Sequence, residues 1–245
     1  MKPWELIGET RTPDGSLLTL TRHVSEIVIM ANGKTLMSNR VHGSEEAMAA
    51  MICPHLKGVD DPHVLIGGLG MGFTLRATLD LLPSAAIVTV AELIPAVVEW
   101  NRGPLGPLAN HPLKDSRVRV EVNDVAAVLR ANFAGKQRPF DAIMLDVDNG
   151  PAAFTSEENG GLYTNQGIAD ARRALSRAGV MAIWSAFDDR KFVQRLSYAG
   201  FGVCVEHVRA RLKKGGPRHT IFLAYPGGAP TKQSRRTTGS HDRGR

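Results

Sequence analysis

The sequence predicts an α/β protein: a mostly parallel sheet flanked by helices and preceded by a small β-rich region. Three observations predict it. From residue 63 onward, short apolar runs rich in β-branched residues alternate with helical stretches, the rhythm of a parallel sheet with helical crossovers. The first of those runs hands over to its helix through a glycine-rich turn, Gly67-Gly68-Leu69-Gly70-Met71-Gly72. The last two β-rich runs are joined by a connection too short for a helical crossover, so they pair antiparallel.

Residues 1–56 read as a small N-terminal β region with a connecting helix. Runs 16–22 and 26–30 are β-rich, and Asn32-Gly33 is a hairpin turn signal that brings 34–38 back as a partner strand. Ser44 is placed to cap a helix running through Ala47 to Ile52. Residues 57–228 form the main domain. Its strands are expected at 63–67, 86–91, 118–122, 142–146 and 180–185, with helices at 73–82, 95–102, 126–133 and 167–178. A helical stretch at 191–199 leads into the paired runs 201–208 and 220–224. Parallel strands closed by an antiparallel C-terminal pair are the layout of the Rossmann-like, class I methyltransferase-type fold. Residues 229–245 read as a disordered basic tail.

A chain of 245 residues buries a full core. Its net charge of +6 is unevenly spread: residues 231–245 carry +4 and residues 208–218 carry +5, which leaves −3 for the rest. The globular body is therefore not basic, and a nucleic-acid partner is not expected. The N-terminal residues lack an apolar run of signal-peptide length, and no stretch approaches a membrane span. Cys53 and Cys204 stand in apolar contexts without metal-ligand spacing, so no metal site is expected. Free thiols point to a reducing compartment, and a cytoplasmic location is the expectation.

The candidate site begins at the glycine-rich turn. Gly67, Gly68, Gly70 and Gly72 allow positive φ and a close backbone approach to a ligand. About twenty residues on, Glu92 ends the next strand, where a carboxylate accepts from ribose hydroxyls. Asn123 and Asp124 follow the third strand. In the methyltransferase-type fold an acid there accepts from the adenine amino group, and Asp124 serves equally as an N-cap for the next helix. Three positions at successive strand ends describe a nucleoside site. A dinucleotide oxidoreductase uses the same features, but the antiparallel C-terminal pair suits it less well.

The chemistry is expected after the fourth strand, where Asp146-Val147-Asp148-Asn149-Gly150-Pro151 follows an apolar run. Asp146 and Asp148 can attract a cationic amine and help remove its proton, since an amine of pKa near ~10 is protonated at neutral pH. Asp148-Asn149-Gly150-Pro151 is also plain turn chemistry. Tyr163 and Trp184 are candidates to wall an acceptor pocket, and residues 151–161 are a candidate lid. His42 and Glu45, just ahead of the main domain, are within reach of the same pocket.

With these residues in view, the chain resembles the spermidine synthase family of aminopropyltransferases, especially its spermidine-synthase-like bacterial members. The resemblance runs from the N-terminal β region to about Ala224. It rests on the glycine-rich turn, Glu92, Asp124, Asp146, and Leu162-Tyr163-Thr164 with the following Ala171-Arg172-Arg173-Ala174-Leu175. It implies transfer of an aminopropyl group from decarboxylated S-adenosylmethionine to a small amine, by a dimer or higher oligomer. Three departures stand out. Gly70 occupies the place of the loop acid that holds the donor's amine. The acceptor-binding loop reads Asp146-Val147-Asp148-Asn149-Gly150-Pro151. The segment His42-Gly43-Ser44-Glu45-Glu46 lacks the family's tyrosine.

The resulting expectation is a homodimeric transferase in polyamine biosynthesis, with methylthioadenosine as product. Two alternatives stay open. One is an S-adenosylmethionine-dependent methyltransferase acting on a small molecule or RNA, leaving S-adenosylhomocysteine. The other is a non-catalytic nucleoside-binding module.

Overall fold

The computed structural model describes residues 3–135, 137–147, 160–210 and 216–228. Two sheets organise them. The first is an antiparallel meander of β1 (Glu5–Arg11), β2 (Leu17–His23), β3 (Glu26–Ala31) and β4 (Lys34–Ser38), in that spatial order. Asn32 and Gly33 both take positive φ, 48° and 76°, which matches the right-handed twist of the strands they join. The sequence reading contains no counterpart of β1, whose residues show little apolar alternation. Its Gly8 crosses the Trp100 indole so closely that a Cβ would sit 2.5 Å from Nε1.

The chain then forms α1 (Gly43–Ile52), whose cap position lies two residues before the expected one. Ser44 is therefore not the cap. His42 holds that position without a side-chain cap bond, and Gly43 N–H donates to Ala210 O at 2.9 Å. That bond ties the helix start to the C-terminal strands and turns Ser44 into the protein.

The second sheet contains β5 (His63–Gly67), β6 (Ile87–Glu92), β7 (Val118–Val122), β8 (Phe140–Leu145), β9 (Leu175–Ser185), β10 (Gly202–Arg209) and β11 (Arg218–Tyr225), in the order β10-β11-β9-β8-β5-β6-β7. Only β11 opposes the other strands, because β10 and β9 both pair with it antiparallel. The inner place of β11 follows from its composition. Ile221 to Ala224 are buried without interruption, whereas β10 is half-buried along its length, as suits an edge. The expected helix at 167–178 stops at Ala174. Leu175 pairs with Phe140, so the strand claims the four residues that a helix would have taken.

Helices α2 (Phe73–Leu81) and α3 (Pro95–Arg102) share one face of this sheet with α1. The other face carries α4 (Val125–Ala134), the single turn α5 (Gly160–Tyr163), α6 (Asn165–Ala174) and α7 (Arg190–Tyr198). The alternation along β8 separates the two layers: Ala142 and Met144 face the first, Ile143 and Leu145 the second. The first layer is continuous with the N-terminal sheet, since Leu18, Leu20, Ile27 and Ile29 pack in one core with Met48, Ile52, Val64 and Val90. No described helix is long and apolar enough to cross a membrane.

Chain direction diverges at β5. β6 and β7 lie on one side and β8 and β9 on the other, so a crevice opens where β5 and β8 end. In parallel sheets that switch point is where ligands bind.

Candidate active site

The glycine-rich turn lies at this crevice. Gly67 O accepts from Asp146 N at 2.8 Å, and Gly68 N donates to Ala91 O at 2.8 Å, which fastens the turn to both neighbouring strands. Gly68 has φ +89°, and a Cβ on it would run into the Asp146 carbonyl. Gly72, with φ +82°, is the N-cap of α2. Gly70 is covered from the N-terminal sheet, since a Cβ on it would lie 2.8 Å from Met37 Cε. A carboxylate at position 70 would meet that methionine.

Glu92 ends β6 and is buried. Its Oε2 accepts from Leu69 N and its Oε1 from Ile94 N, both at 2.9 Å. Two backbone donors thus set the plane of this carboxylate and clamp it to the glycine-rich turn. Asn123 N donates to Glu92 O at 3.0 Å, placing the ends of β6 and β7 side by side. Asp124 is exposed and caps α4, its Oδ1 accepting from Ala126 N at 2.8 Å. Leu93 (42% exposed) and Val122 (52% exposed) stand at the same edge. Two solvated apolar side chains flanking the buried Glu92 are a feature that sequence reasoning missed. The signal for it was faint: apolar residues directly beside acid and amide at two strand ends.

Asp146 follows β8, and its Oδ2 accepts from the Thr74 hydroxyl, 2.6 Å away in the first turn of α2. Glu45, on α1, is only 9% exposed. Burial pushes the Glu45 carboxyl up to about 7, with the nearby Asp146 charge adding to the effect. Burial likewise pushes Asp146 up to about 6, against the opposing pull of Thr74. Both directions follow from withdrawing two acids from water beside each other, and they titrate as a pair. The structure therefore brings Glu45, from the N-terminal segment, to the Asp146 expected at the sheet edge.

Trp184, at the end of β9, packs edge-on against His219 of β11 with ring centroids 4.6 Å apart. The same imidazole reaches Ser44, whose Oγ is 2.9 Å from Nδ1 and donates to Glu45 Oε2 at 2.6 Å. Neither Ser44 nor His219 was identified as part of a site, since 175 positions separate them in the chain.

Two candidates lie elsewhere. Tyr163 is buried on the opposite face of the sheet, edge-on to Phe192 at 5.7 Å. His42 stacks on Phe73 at 4.1 Å with its Nδ1 2.8 Å from Glu46 Oε1. His42, Glu46 and Phe73 line an open cleft of about 850 Å³ with Arg76 and Leu108, and neither Asp146 nor Glu92 lines it. Asp148, most of the candidate lid and the centre of the basic 209–218 connection lie outside the described residues, as does the tail.

No protein-family model matches this sequence, and no curated protein sequence does. Solved structures do match. The spermidine synthase from Thermotoga maritima superposes with a TM-score of 0.70 at 20% identity, over 96% of this chain and 79% of that one. The fold is that of the spermidine synthases. A spermidine synthase in complex with the transition-state analogue AdoDATO gives 0.69 at 20% identity, again over 96% and 79%. Human methyltransferase-like protein 13 in complex with SAH gives 0.59 at 21% identity, over 80% of this chain and 88% of that one. A match over 96% of the chain takes in the N-terminal sheet as well as the seven-stranded one.

Proposed function

We propose that this protein is a spermidine-synthase-like transferase that moves an aminopropyl group from decarboxylated S-adenosylmethionine to a small amine. The observation that carries the reading is the buried Glu45 set beside the half-buried Asp146, whose N–H donates to Gly67 of the glycine-rich turn. Two acids removed from water favour a cationic partner and disfavour a carboxylate. The decarboxylated donor ends in an ammonium alone, whereas S-adenosylmethionine adds a carboxylate at that end.

In this reading Glu92 accepts from the ribose hydroxyls, and Leu93 and Val122 flank the adenine. Asp124, with Asn123 beside it, accepts from the adenine amino group while its other oxygen keeps the α4 cap. Gly67, Gly68, Gly70 and Gly72 let the backbone approach the donor. Asp146, held by Thr74, binds the acceptor amine together with Asp148, and Trp184 walls that pocket while His219 packs behind the indole. Tyr163 has no part in it.

The donor supplies its own leaving group: a C–N bond forms as the C–S bond breaks, and sulfur keeps the electron pair as neutral methylthioadenosine. The protein's work is to align the two reactants and exclude water. The acceptor must also shed a proton before it attacks, and the Glu45–Asp146 pair takes it. The pair's affinity for a proton near neutral pH suits a base better than an ordinary surface acid would.

Asp146→Asn tests the reading. Release of methylthioadenosine with a panel of linear diamines should fall at least about 100-fold, within the usual range for a lost general base. Unchanged turnover would remove Asp146 from the chemistry. Gly70 favours a second reading, methyl transfer from S-adenosylmethionine, because an amine-holding acid is missing there and Met37 covers the position. We further propose a homodimer built on the N-terminal sheet, supported by the exposed Trp4, Leu6 and Val24.

A further inference from the structure

Ser44 is fully buried at 0% exposure in the first turn of α1, and its hydroxyl lies between a carboxylate and an imidazole. A hydroxyl has one proton to donate and lone pairs to accept with. At 2.6 Å from Glu45 Oε2 and 2.9 Å from His219 Nδ1, it can therefore donate to only one of them at a time. Two orders of the chain exist. With Glu45 ionised, Nδ1–H donates to Ser44 and Ser44 donates to Glu45. With Glu45 protonated, the carboxyl donates to Ser44 and Ser44 donates to a bare Nδ1. The three groups are thus already joined in the arrangement through which a proton passes, and Ser44 has no water to exchange with.

We propose that Ser44 and His219 are the exit for the proton that the acceptor amine gives up, with Glu45 as its entry. The proposal rests on the transfer reading above. The step balances as follows. The ammonium N–H bond breaks and its proton goes to the Glu45–Asp146 pair, leaving the lone pair that attacks carbon. The Glu45 O–H proton then moves to Ser44 Oγ while the Ser44 proton moves to Nδ1. The imidazolium releases its Nε2 proton to solvent, and solvent exchange resets the tautomer. One proton leaves per transfer, as required when a sulfonium and an ammonium become a thioether and one secondary ammonium.

The surroundings suit the direction of flow. Glu45 feels the charge of Asp146, just past β8, and of Glu46 next to it on α1, while Ser44 joins it to His219 of β11. His219 is half-buried, and burial lowers its pKa, so it passes a proton on and does not store it. It packs against the uncharged Trp184 of β9 and opposes Val208 of β10. The charged groups nearby in sequence are Arg218 on its own strand, with Arg209 and His207 on β10, and His207 lies 3.7 Å from Asp188. The bond from Gly43 N to Ala210 O holds α1 in register with β10 and β11, so the Ser44–His219 contact is built into the fold.

Ser44 and His219 touch no substrate and act through Glu45, so they are positioning residues. Two measurements test them. In donor-free protein, NMR titration of the Glu45 carboxyl carbon and the His219 ring nitrogens should show each group sensing the other. Ser44→Ala should make the two titrations independent, and Ser44→Thr should restore the coupling. In turnover of decarboxylated S-adenosylmethionine with 1,4-diaminobutane, Ser44→Ala and His219→Gln should each lower kcat about 10- to 100-fold, less than loss of the base itself, for which about 100-fold is the least expected. KM for the amine should not change, the pH–rate profile should shift, and imidazole buffer should recover part of the rate. Identical His219 titrations in wild type and Ser44→Ala would overturn the proposal, as would unchanged kcat and pH profile in both variants. Failure of the wild-type protein to transfer any group would count against the transfer reading alone, because the NMR titration decides the Ser44–His219 link without turnover.

Discussion

At the residue scale, Glu45 and Asp146 behave unlike surface acids, and the sign of the effect is testable. Their ordinary values are 4.5 and 3.8, and in the fold they are held near 7 and 6. Raised carboxyls contribute most stability below their unfolded values, where both states are protonated, and lose it as pH climbs through the folded ones. The ligand-free protein should therefore lose stability between about pH 4 and about pH 7. At roughly 1.4 kcal/mol per unit, upward shifts that together span about four to five units put the loss on the order of 6 kcal/mol. Glu45→Gln should raise Tm at the upper end of that window and leave it unchanged at the lower end. A flat difference across the window in thermal melts would contradict the burial argument. Gly68→Ala tests the turn: its Cβ meets the Asp146 carbonyl at positive φ. It should cost about 1–3 kcal/mol in denaturant unfolding and abolish donor binding. Asp146 and the glycines were legible because strand-end position alone marks them. Glu45 was legible only as a neighbour in sequence, and its partners were hidden because Ser44–His219 is a contact made by the closing of the sheet.

Among the elements, α4 separates the cap that Asp124 forms from the binding role proposed for it. Asp124 caps that helix through Ala126 N, so Asp124→Ala should cost about 1 kcal/mol of stability as well as donor affinity. Asp124→Ser keeps a capping oxygen and should restore stability to within a few tenths of a kcal/mol. Calorimetry on the same variant should still show weakened donor binding; full affinity would leave Asp124 as a cap only. The parallel strands were legible in place and order: β5 and β7 match their expected limits and β6 is offset by one, whereas β8 begins two residues early and β9 five. Strand order inside the hairpin was not. Pairing of β10 with β11 follows from a short connection, but which of them meets β9 depends on burial of both faces of Ile221–Ala224. The end of α6 was misjudged for a related reason: local helix pattern continued through residue 178, and the pairing of Leu175 with Phe140 overrode it.

For the molecule as a whole, the N-terminal sheet and the main sheet share one core. Leu20, fully buried in that core, should cost about 2–5 kcal/mol when truncated to alanine. Calorimetric unfolding should remain one transition; early melting of the N-terminal sheet by itself would show two separable units. The same closeness explains the Gly70 departure, because Met37 of β4 lies over the turn where an acid would otherwise project. With that acid absent, the account rests the choice of donor on the charge of the Glu45–Asp146 pair, which repels a donor carboxylate while Asp146 holds the acceptor amine. Titration calorimetry with decarboxylated S-adenosylmethionine and with S-adenosylmethionine tests this most directly. The account predicts tighter binding of the decarboxylated donor by at least about tenfold, equivalent to about 1.4 kcal/mol, with the preference lost in Glu45→Gln. Tighter binding of S-adenosylmethionine would contradict it.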